Sequence, residues 1–497
     1  MSTPVPISQL PSQQRADNGR WLILGVVCLA QLMVVLDATV VNIALPSAQR
    51  DLGFSDADRQ WVVTAYSLAF GGLLLLGGRL SDLIGRERML IGGMIGFACA
   101  SALAGAATGF GMLIVGRAIQ GALGAMLAPA ALSTLTTTFT DSKERAKAFG
   151  VFGAIAGAGG AVGLVLGGLL TEYLDWRWTL FVNVVFALIA VPAALKLLTF
   201  HPRNRDVHID VPGVVLASAG LVAIVYGFSQ AESNGWNSIE TYSLLIGGLV
   251  LLMAFVWLER RVAHPLLPMR IVTNRFRGGA YLTIGFSAMG MFAIFLFLTY
   301  FLQMLKGYSP VQTGLAFLPM IAALIGVSTG SSTLLATRVG PRVLIPIGLL
   351  VGGAGMAYLA WQLGADSSYV RVVLPALVIV GAGLGIVFSS AMNTATSGAV
   401  GSDAGVASAM VNTTQQVGGS IGTALLNTLA ANALTTYLVD HAGDPAAKVE
   451  AAVHSYVVSF GAAAAIFAVA AIAASLVLPS GLIPAGKSDD VPTPASV

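Results

Sequence analysis

Long apolar runs separated by short polar punctuation cover nearly the whole chain. The runs fall at about 21–46, 61–80, 89–108, 112–137, 146–170, 179–199, 212–230, 242–258, 278–304, 314–336, 343–363, 372–396, 404–436 and 454–478. Each is long enough to cross a hydrocarbon core of about 30 Å as a helix. Helices are the expected solution because they satisfy their own backbone hydrogen bonds where lipid cannot. About fourteen spans are predicted, and an even number puts both tails on one side.

Charge orients the spans. With the N-terminus inside, the inner connections hold Arg86 and Arg88, then Lys143, Arg145 and Lys147, then Arg203 and Arg205. They continue with Arg260, Arg261, Arg270, Arg275 and Arg277, and with Arg338 and Arg342. The outer ones hold fewer basic residues, so both termini are expected in the cytoplasm. The longest inner connection, 259–277, reads as an Arg-rich linker on the membrane surface, with eight spans before it and six after. Two six-helix bundles, 21–199 and 278–478, with two inserted helices at 212–258, restore symmetry. The tails, 1–20 and 479–497, are polar, the second expected to be disordered. The apolar run after the first is too long for a signal-peptide core, so no cleaved leader is expected.

Composition agrees. Of 497 residues 56% are hydrophobic and 10% charged, with a mean hydropathy of +0.82, outside the range of soluble domains. A formal charge of +3 gives no reason to expect nucleic acid. Cys28 and Cys99 fall inside apolar runs and are expected to be small buried packing residues without a disulfide. No His/Cys cluster suggests a metal, and no nucleophile or acid–base constellation suggests an enzyme.

Against this background Asp37, in LMVVLDATVVNIALP, stands out. A charge at the centre of a membrane helix costs about 2.5–3.5 kcal/mol on insertion scales, so it faces a partner or a wet cavity. Either it is half of a structural ion pair or it takes up and releases protons. Counting about 1.5 Å per residue places Arg117, on the fourth span, at a similar depth. Protonation of Asp37 would free Arg117 for another acceptor such as Gln120, one turn on.

Other polar and aromatic residues within or at the ends of spans are candidates for a substrate cavity: Asn42, Gln120, Asn183, Asn393, Asn412 and Gln416. The ninth span adds Phe292, Phe295 and Tyr300, in a series of large side chains of which roughly half are expected to meet lipid. Repeated halves around a midplane site are common in secondary transporters. A weak repeat is present: Gly78 to Arg86 between spans two and three aligns with Thr333 to Pro341 between spans ten and eleven. The second copy lacks the acid that is Asp82 in the first.

The stretch GRLSDLIGRER, with Gly78, Asp82, Gly85 and Arg86, resembles the signature loop of the major facilitator superfamily between the second and third helices. LDATVVNIALP resembles the first-helix motif of its fourteen-helix drug:proton antiporters, and Arg117-Ala118-Ile119-Gln120-Gly121 the R-x-x-Q-G motif of their fourth. GAIAGAGGAVGLVLGG, with Gly157, Gly163, Gly167 and Gly168, resembles the antiporter motif of the fifth helix, but lacks its usual proline. The resemblance implies an all-α membrane protein with two six-helix bundles and two inserted helices. It also implies export of lipophilic drugs or antibiotics from the bacterial cytosol across the inner membrane, in exchange for protons. Asp37 and Arg117 would couple the proton, and the Gly78–Arg86 loop would latch the inner gate. No cofactor beyond the coupling proton is expected, and the expected partners are a small lipophilic substrate and the bilayer, with the protein a monomer. The main rival is a dedicated exporter of one metabolite or self-made antibiotic; a non-transporting membrane sensor is more remote. GLIPAGKS at 481–488 fits a phosphate-binding loop literally, but it follows a membrane span and precedes only polar tail, so no nucleotide is expected there.

Overall fold

The computed structural model describes residues 12–55, 58–139, 141–200, 210–263, 265–331, 338–396, 402–442 and 444–481. Among these, every regular element is helical. The first half is α1 (Ser12–Leu52), α2 (Arg59–Ile84), α3 (Arg86–Gly105), α4 (Phe110–Thr138), α5 (Ser142–Tyr173) and α6 (Trp178–Leu197). Then come α7 (Val211–Asn234), α8 (Ile239–Glu259) and the short α9 (Met269–Thr273). The second half is α10 (Arg275–Tyr300), α11 (Pro310–Ala316), α12 (Leu318–Gly330), α13 (Pro341–Gln362), α14 (Leu374–Thr396), α15 (Ser402–Asp440) and α16 (Ala447–Val477). Eleven helical segments among the described residues are long and apolar enough to cross a membrane.

Packing repeats between the halves. In the first, α2 and α3 both pack on α4, α1 packs on α5 and α6, and α3 on α6. In the second, α12 and α13 pack on α14, α10 on α15 and α16, and α13 on α16. The halves meet reciprocally, α2 against α15 and α5 against α11. These elements form a two-bundle fold with an inserted pair, α7 and α8. Glycine allows the closest crossings: a Cβ on Gly121 or Gly77 in the α2/α4 pair would collide with the carbonyl oxygen of Tyr66 or Ala125, and one on Gly418 with that of Gly285.

Several boundaries differ from the hydropathy reading. Pro46 does not end α1; the helix runs to Leu52 and stops at Gly53, whose φ of 67° suits glycine. The tenth span is broken into α11 and α12 at Phe317, where Pro319 follows. Cys99 is exposed on α3, not buried like Cys28. The large side chains of α10 also depart from expectation. Phe295, Phe297 and Tyr300, and Phe301 just after them, are all buried, because α1, α14, α15 and α16 surround this helix.

The inserted pair is less isolated than its sequence suggests. α7 lies along the seam between the halves: Ser218 Oγ donates to Gly72 O of α2 at 3.0 Å, and Thr428 Oγ1 of α15 donates to Phe228 O at 3.1 Å. Leu68, Val225 and Ala424, one residue from each of α2, α7 and α15, form a buried cluster. α8 lies outside α7 and presents Ile246, Leu249, Val250 and Met253 outward.

Two faces can be distinguished by connectivity. Arg20 near the start of α1 pairs with Glu144 of α5, Arg79 at the end of α2 reaches Pro265, and Arg275 reaches the carbonyls of Leu476 and Val477. This terminal face therefore carries the start of α1 and the end of α16. At the opposite, far face the halves are joined: Gln303 Nε2 donates to Ile43 O at 3.2 Å, and Val311 N to Glu172 Oε2 at 3.0 Å. The Arg59 guanidinium also lies 4.0 Å over the Tyr300 ring.

Candidate functional site

Five helices of the first half converge on Asp37. α1 supplies the acid itself; α4 supplies Arg117 and Gln120, one turn apart on one face. Arg117 Nη1 donates to Asp37 Oδ2 at 2.5 Å, and Gln120 Nε2 donates to Asp37 Oδ1 at 2.6 Å. Asn183 of α6 donates to the same Oδ1 at 3.1 Å. Gln120 is held in turn, with its Nε2 2.6 Å from Ser101 Oγ of α3 and its Oε1 accepting from Arg117 at 2.9 Å. α2 completes the cage, its Val62 carbonyl accepting from Arg117 Nε at 3.0 Å and its Tyr66 ring lying 4.4 Å beneath the guanidinium.

All of these side chains are buried; Asp37 and Arg117 are each 1% exposed. Charge-assisted bonds on both carboxylate oxygens, with a planar guanidinium over an aromatic face, are what a desolvated ion pair requires to be tolerated. One detail departs from the sequence reading. Gln120 already accepts from Arg117 while the ion pair is formed, and so bonds Arg117 and Asp37 together.

The cavity candidates divide. Gln120 and Asn183 belong to the cage, not to an open cavity. Asn42 is buried and donates back to the Ala38 carbonyl of its own helix at 3.1 Å. Phe295 packs on Phe317 with ring centroids 5.3 Å apart, and Tyr300 is capped by Arg59. Asn42, Phe295 and Tyr300 are packed interior, each buried against neighbouring side chains or its own helix. Asn393 and Asn412 are exposed, and Gln416 is half-buried against Gly71. The side chains of Phe292 and Asp82 and the surroundings of Gly157 lie outside what the structure describes, as do 332–337 and 482–488.

The glycines of α5 have a packing role. Cβ atoms on Gly163 or Gly167 would crowd Thr39 or Val40 of α1, beside Asp37, and one on Gly168 would lie 2.6 Å from Pro310 O of α11. α5 is thus wedged between the helix that bears the acid and the second half. In the loop between α2 and α3, Gly85 forms a one-residue junction at φ 102°, ψ 131°, a conformation that glycine alone adopts cheaply. The described partner of Arg86 there is Glu87, at 3.8 Å. Gly78 has ordinary contact with Pro129; its neighbour Gly77 is the one pressed against α4.

Sequence reading missed Asp51. It accepts from Trp176 Nε1 at 3.0 Å and from Arg177 Nη2 at 2.8 Å, while Arg177 Nη1 reaches the carbonyls of Gly105 and Ala107. This knot ties the far ends of α1 and α3 to the start of α6. Trp176, Arg177 and Trp178 are consecutive in the sequence, but the acceptor of Arg177 lies 126 residues away.

The Major Facilitator Superfamily model matches residues 27–423. The chain belongs to that superfamily. This facilitator is 49% identical over 489 residues, 97% of its own length and 96% of the relative's, to the puromycin resistance protein pur8 of Streptomyces alboniger. It is 38% identical over 430 residues to the cephamycin export protein CmcT of Amycolatopsis lactamdurans, covering 85% of this chain and 88% of the relative. With the tetracenomycin C resistance and export protein of Streptomyces glaucescens, identity is 32%, over 83% and 76% of the two chains. The fold is similar to the crystal structure of a bacterial homolog of the human lysosomal transporter Spinster in an inward-facing, unoccupied conformation. There the TM-score is 0.65 at 17% identity, over 92% of this chain and 97% of that one.

Proposed function

We propose that this facilitator exports an antibiotic-like small molecule from the cytoplasm across the bacterial inner membrane in exchange for protons, with the terminal face toward the cytoplasm. The observation that carries the coupling is the buried Asp37 cage, a titratable acid within a membrane helix enclosed by residues of four others. The direction and substrate class rest on relatives named for puromycin resistance, cephamycin export and tetracenomycin C resistance and export. Because each of these is named for a single compound or class, a dedicated exporter is as well supported as a multidrug one.

Coupling follows from electrostatics. An ionised Asp37 holds Arg117 to α1; a protonated one loses the attraction and leaves Arg117 with Val62 O, Gln120 and the Tyr66 ring. That changes the force between α1 and α4, and α5, packed on α1 at Thr39 and Val40, bears on α11 of the other half. Proton entry supplies about 2.3 kcal/mol per 100 mV and about 1.4 kcal/mol per pH unit to drive the cycle. Asp37→Asn is expected to abolish export driven by an imposed pH gradient in proteoliposomes while the protein still purifies as a folded species. Gradient-driven export by that variant at the wild-type rate would exclude Asp37 as the carrier. Accumulation of puromycin, a tetracenomycin-type aromatic and an unrelated cationic dye, in cells with and without the protein, would separate the single-compound from the multidrug reading.

A further inference from the structure

A second pair of buried acids lies well away from the Asp37 cage, where the inserted helices meet the linker on the terminal face. Asp210 directly precedes α7 and Glu259 closes α8, so both stand at the boundary of the apolar segments. They are 8% and 3% exposed. One oxygen of each is accounted for: Asp210 Oδ1 accepts from Gly213 N at 2.9 Å, capping α7, and Glu259 Oε2 accepts from Leu267 N at 2.9 Å. The other two oxygens, Asp210 Oδ2 and Glu259 Oε1, are buried and accept no hydrogen bond among the described residues. They crowd one spot: a Cβ on Gly213 would lie 2.5 Å from the first and 2.7 Å from the second. The two orphan oxygens therefore lie close to each other with no donor between them.

Two ionised carboxylates cannot share such a spot, because both oxygens are acceptors and the charges repel. We propose that Asp210 and Glu259 bind one proton between them, forming a proton-dependent clasp that holds the linker against the seam of the two halves. The protonated carboxyl of one donates to the other, which satisfies both orphan oxygens in a single bond. The clasp reaches both seam helices. The Glu259 side chain fixes Leu267, and Leu266 and Leu267 are buried with Ala217 and Phe255 in a cluster on which Val406 and Met410 of α15 pack. From the other side Arg79 of α2 donates to the Pro265 carbonyl at 2.5 Å. Loss of the proton would set two buried negative charges against each other and free the Leu267 amide.

Among the described residues, the charged and titratable groups on the surrounding elements are Arg79 on α2, Arg260 and Arg261 after α8, Arg270 on α9, and Arg275, Arg277 and Tyr281 on α10. Arg79 is engaged with Pro265, Arg261 lies 4.2 Å over the Trp257 ring, and Tyr281 donates to Ala407 O. This proton site is separate from Asp37, so its test does not depend on transport.

The full-length protein in nanodiscs would be followed by thermal unfolding and by infrared difference spectroscopy between about pH 6 and pH 9, a range in which ordinary carboxyls stay ionised. Because the folded state holds a proton that the unfolded chain has lost in this range, stability should fall as pH rises. Wild-type protein is expected to lose a few degrees of melting temperature across the range, together with a protonated-carboxyl band. Glu259→Gln should lose that band and flatten the melting slope, because its amide donates to Asp210 without titrating. Asp210→Asn is the reciprocal variant and carries the same test should Glu259→Gln not fold. A band and a melting slope unchanged in both variants would overturn the proposal. So would stabilisation by added sodium or calcium that either substitution removes, which would make this a cation site instead.

Discussion

Arg117→Ala is expected to leave a protein without transport and about 3–5 kcal/mol less stable, the cost of removing one partner of a buried ion pair. The reason is local. Asp37 would keep its bonds from Gln120 and Asn183 but lose its formal counter-charge, in an interior where both residues are 1% exposed. Three other contacts of the guanidinium would be lost with it, those to the Val62 carbonyl, to Gln120 Oε1 and to the face of Tyr66. Denaturant unfolding in detergent checks the magnitude. Adding Asp37→Asn to Arg117→Ala should recover part of the loss, since the double variant no longer buries an unpaired charge, while transport stays absent. An Arg117→Ala protein as stable as wild type would mean that the pair is not desolvated in the membrane, and the coupling argument would fail with it.

The second large effect is steric. Gly121→Ala is expected to cost about 1–3 kcal/mol and to depress transport, because the new methyl would land on the Tyr66 carbonyl of α2, a backbone atom that cannot rotate away. The helices would have to part, and the same movement would draw the Val62 carbonyl from Arg117, one turn earlier on α4. Gly111→Ala on the same helix is the control. Nothing lies within 4 Å of its added methyl, so it should be neutral or slightly stabilising. Equal melting temperatures for the two variants would show that α2 and α4 do not meet as tightly as their crossing implies.

The inner half of the Asp37 cage was legible in the chain because few charges interrupt its apolar runs. With Asp37 and Arg117 the clearest ionisable residues inside spans, matching their depths was enough to pair them. Gln120 and Asn183 were visible as polar residues in spans, but their place beside Asp37 was not. A polar residue in a helix points to a cavity or to a neighbour according to its angular position, and that depends on how the helix is rotated against its neighbours. That Phe295 packs on Phe317 and Tyr300 under Arg59 was hidden for the same reason. The series on α10 obeys no single face, and no hydropathy pattern says that four helices surround it. Asp210 and Glu259 gave no signal as a pair, since each sits at the end of an apolar run, where charged residues are ordinary.

Apolar run lengths, the placement of arginine and four short motifs determined that this is a helical membrane transporter of the major facilitator type with an acid at its heart. These features act through transfer free energy and local backbone geometry, which a sequence carries on its face. Only the tertiary structure decided which glycines face a neighbouring backbone, that α7 runs along the seam between halves, and that two distant carboxyls meet at the linker. Those depend on helix rotation and crossing, set by the sum of many small packing contacts between segments far apart in the chain.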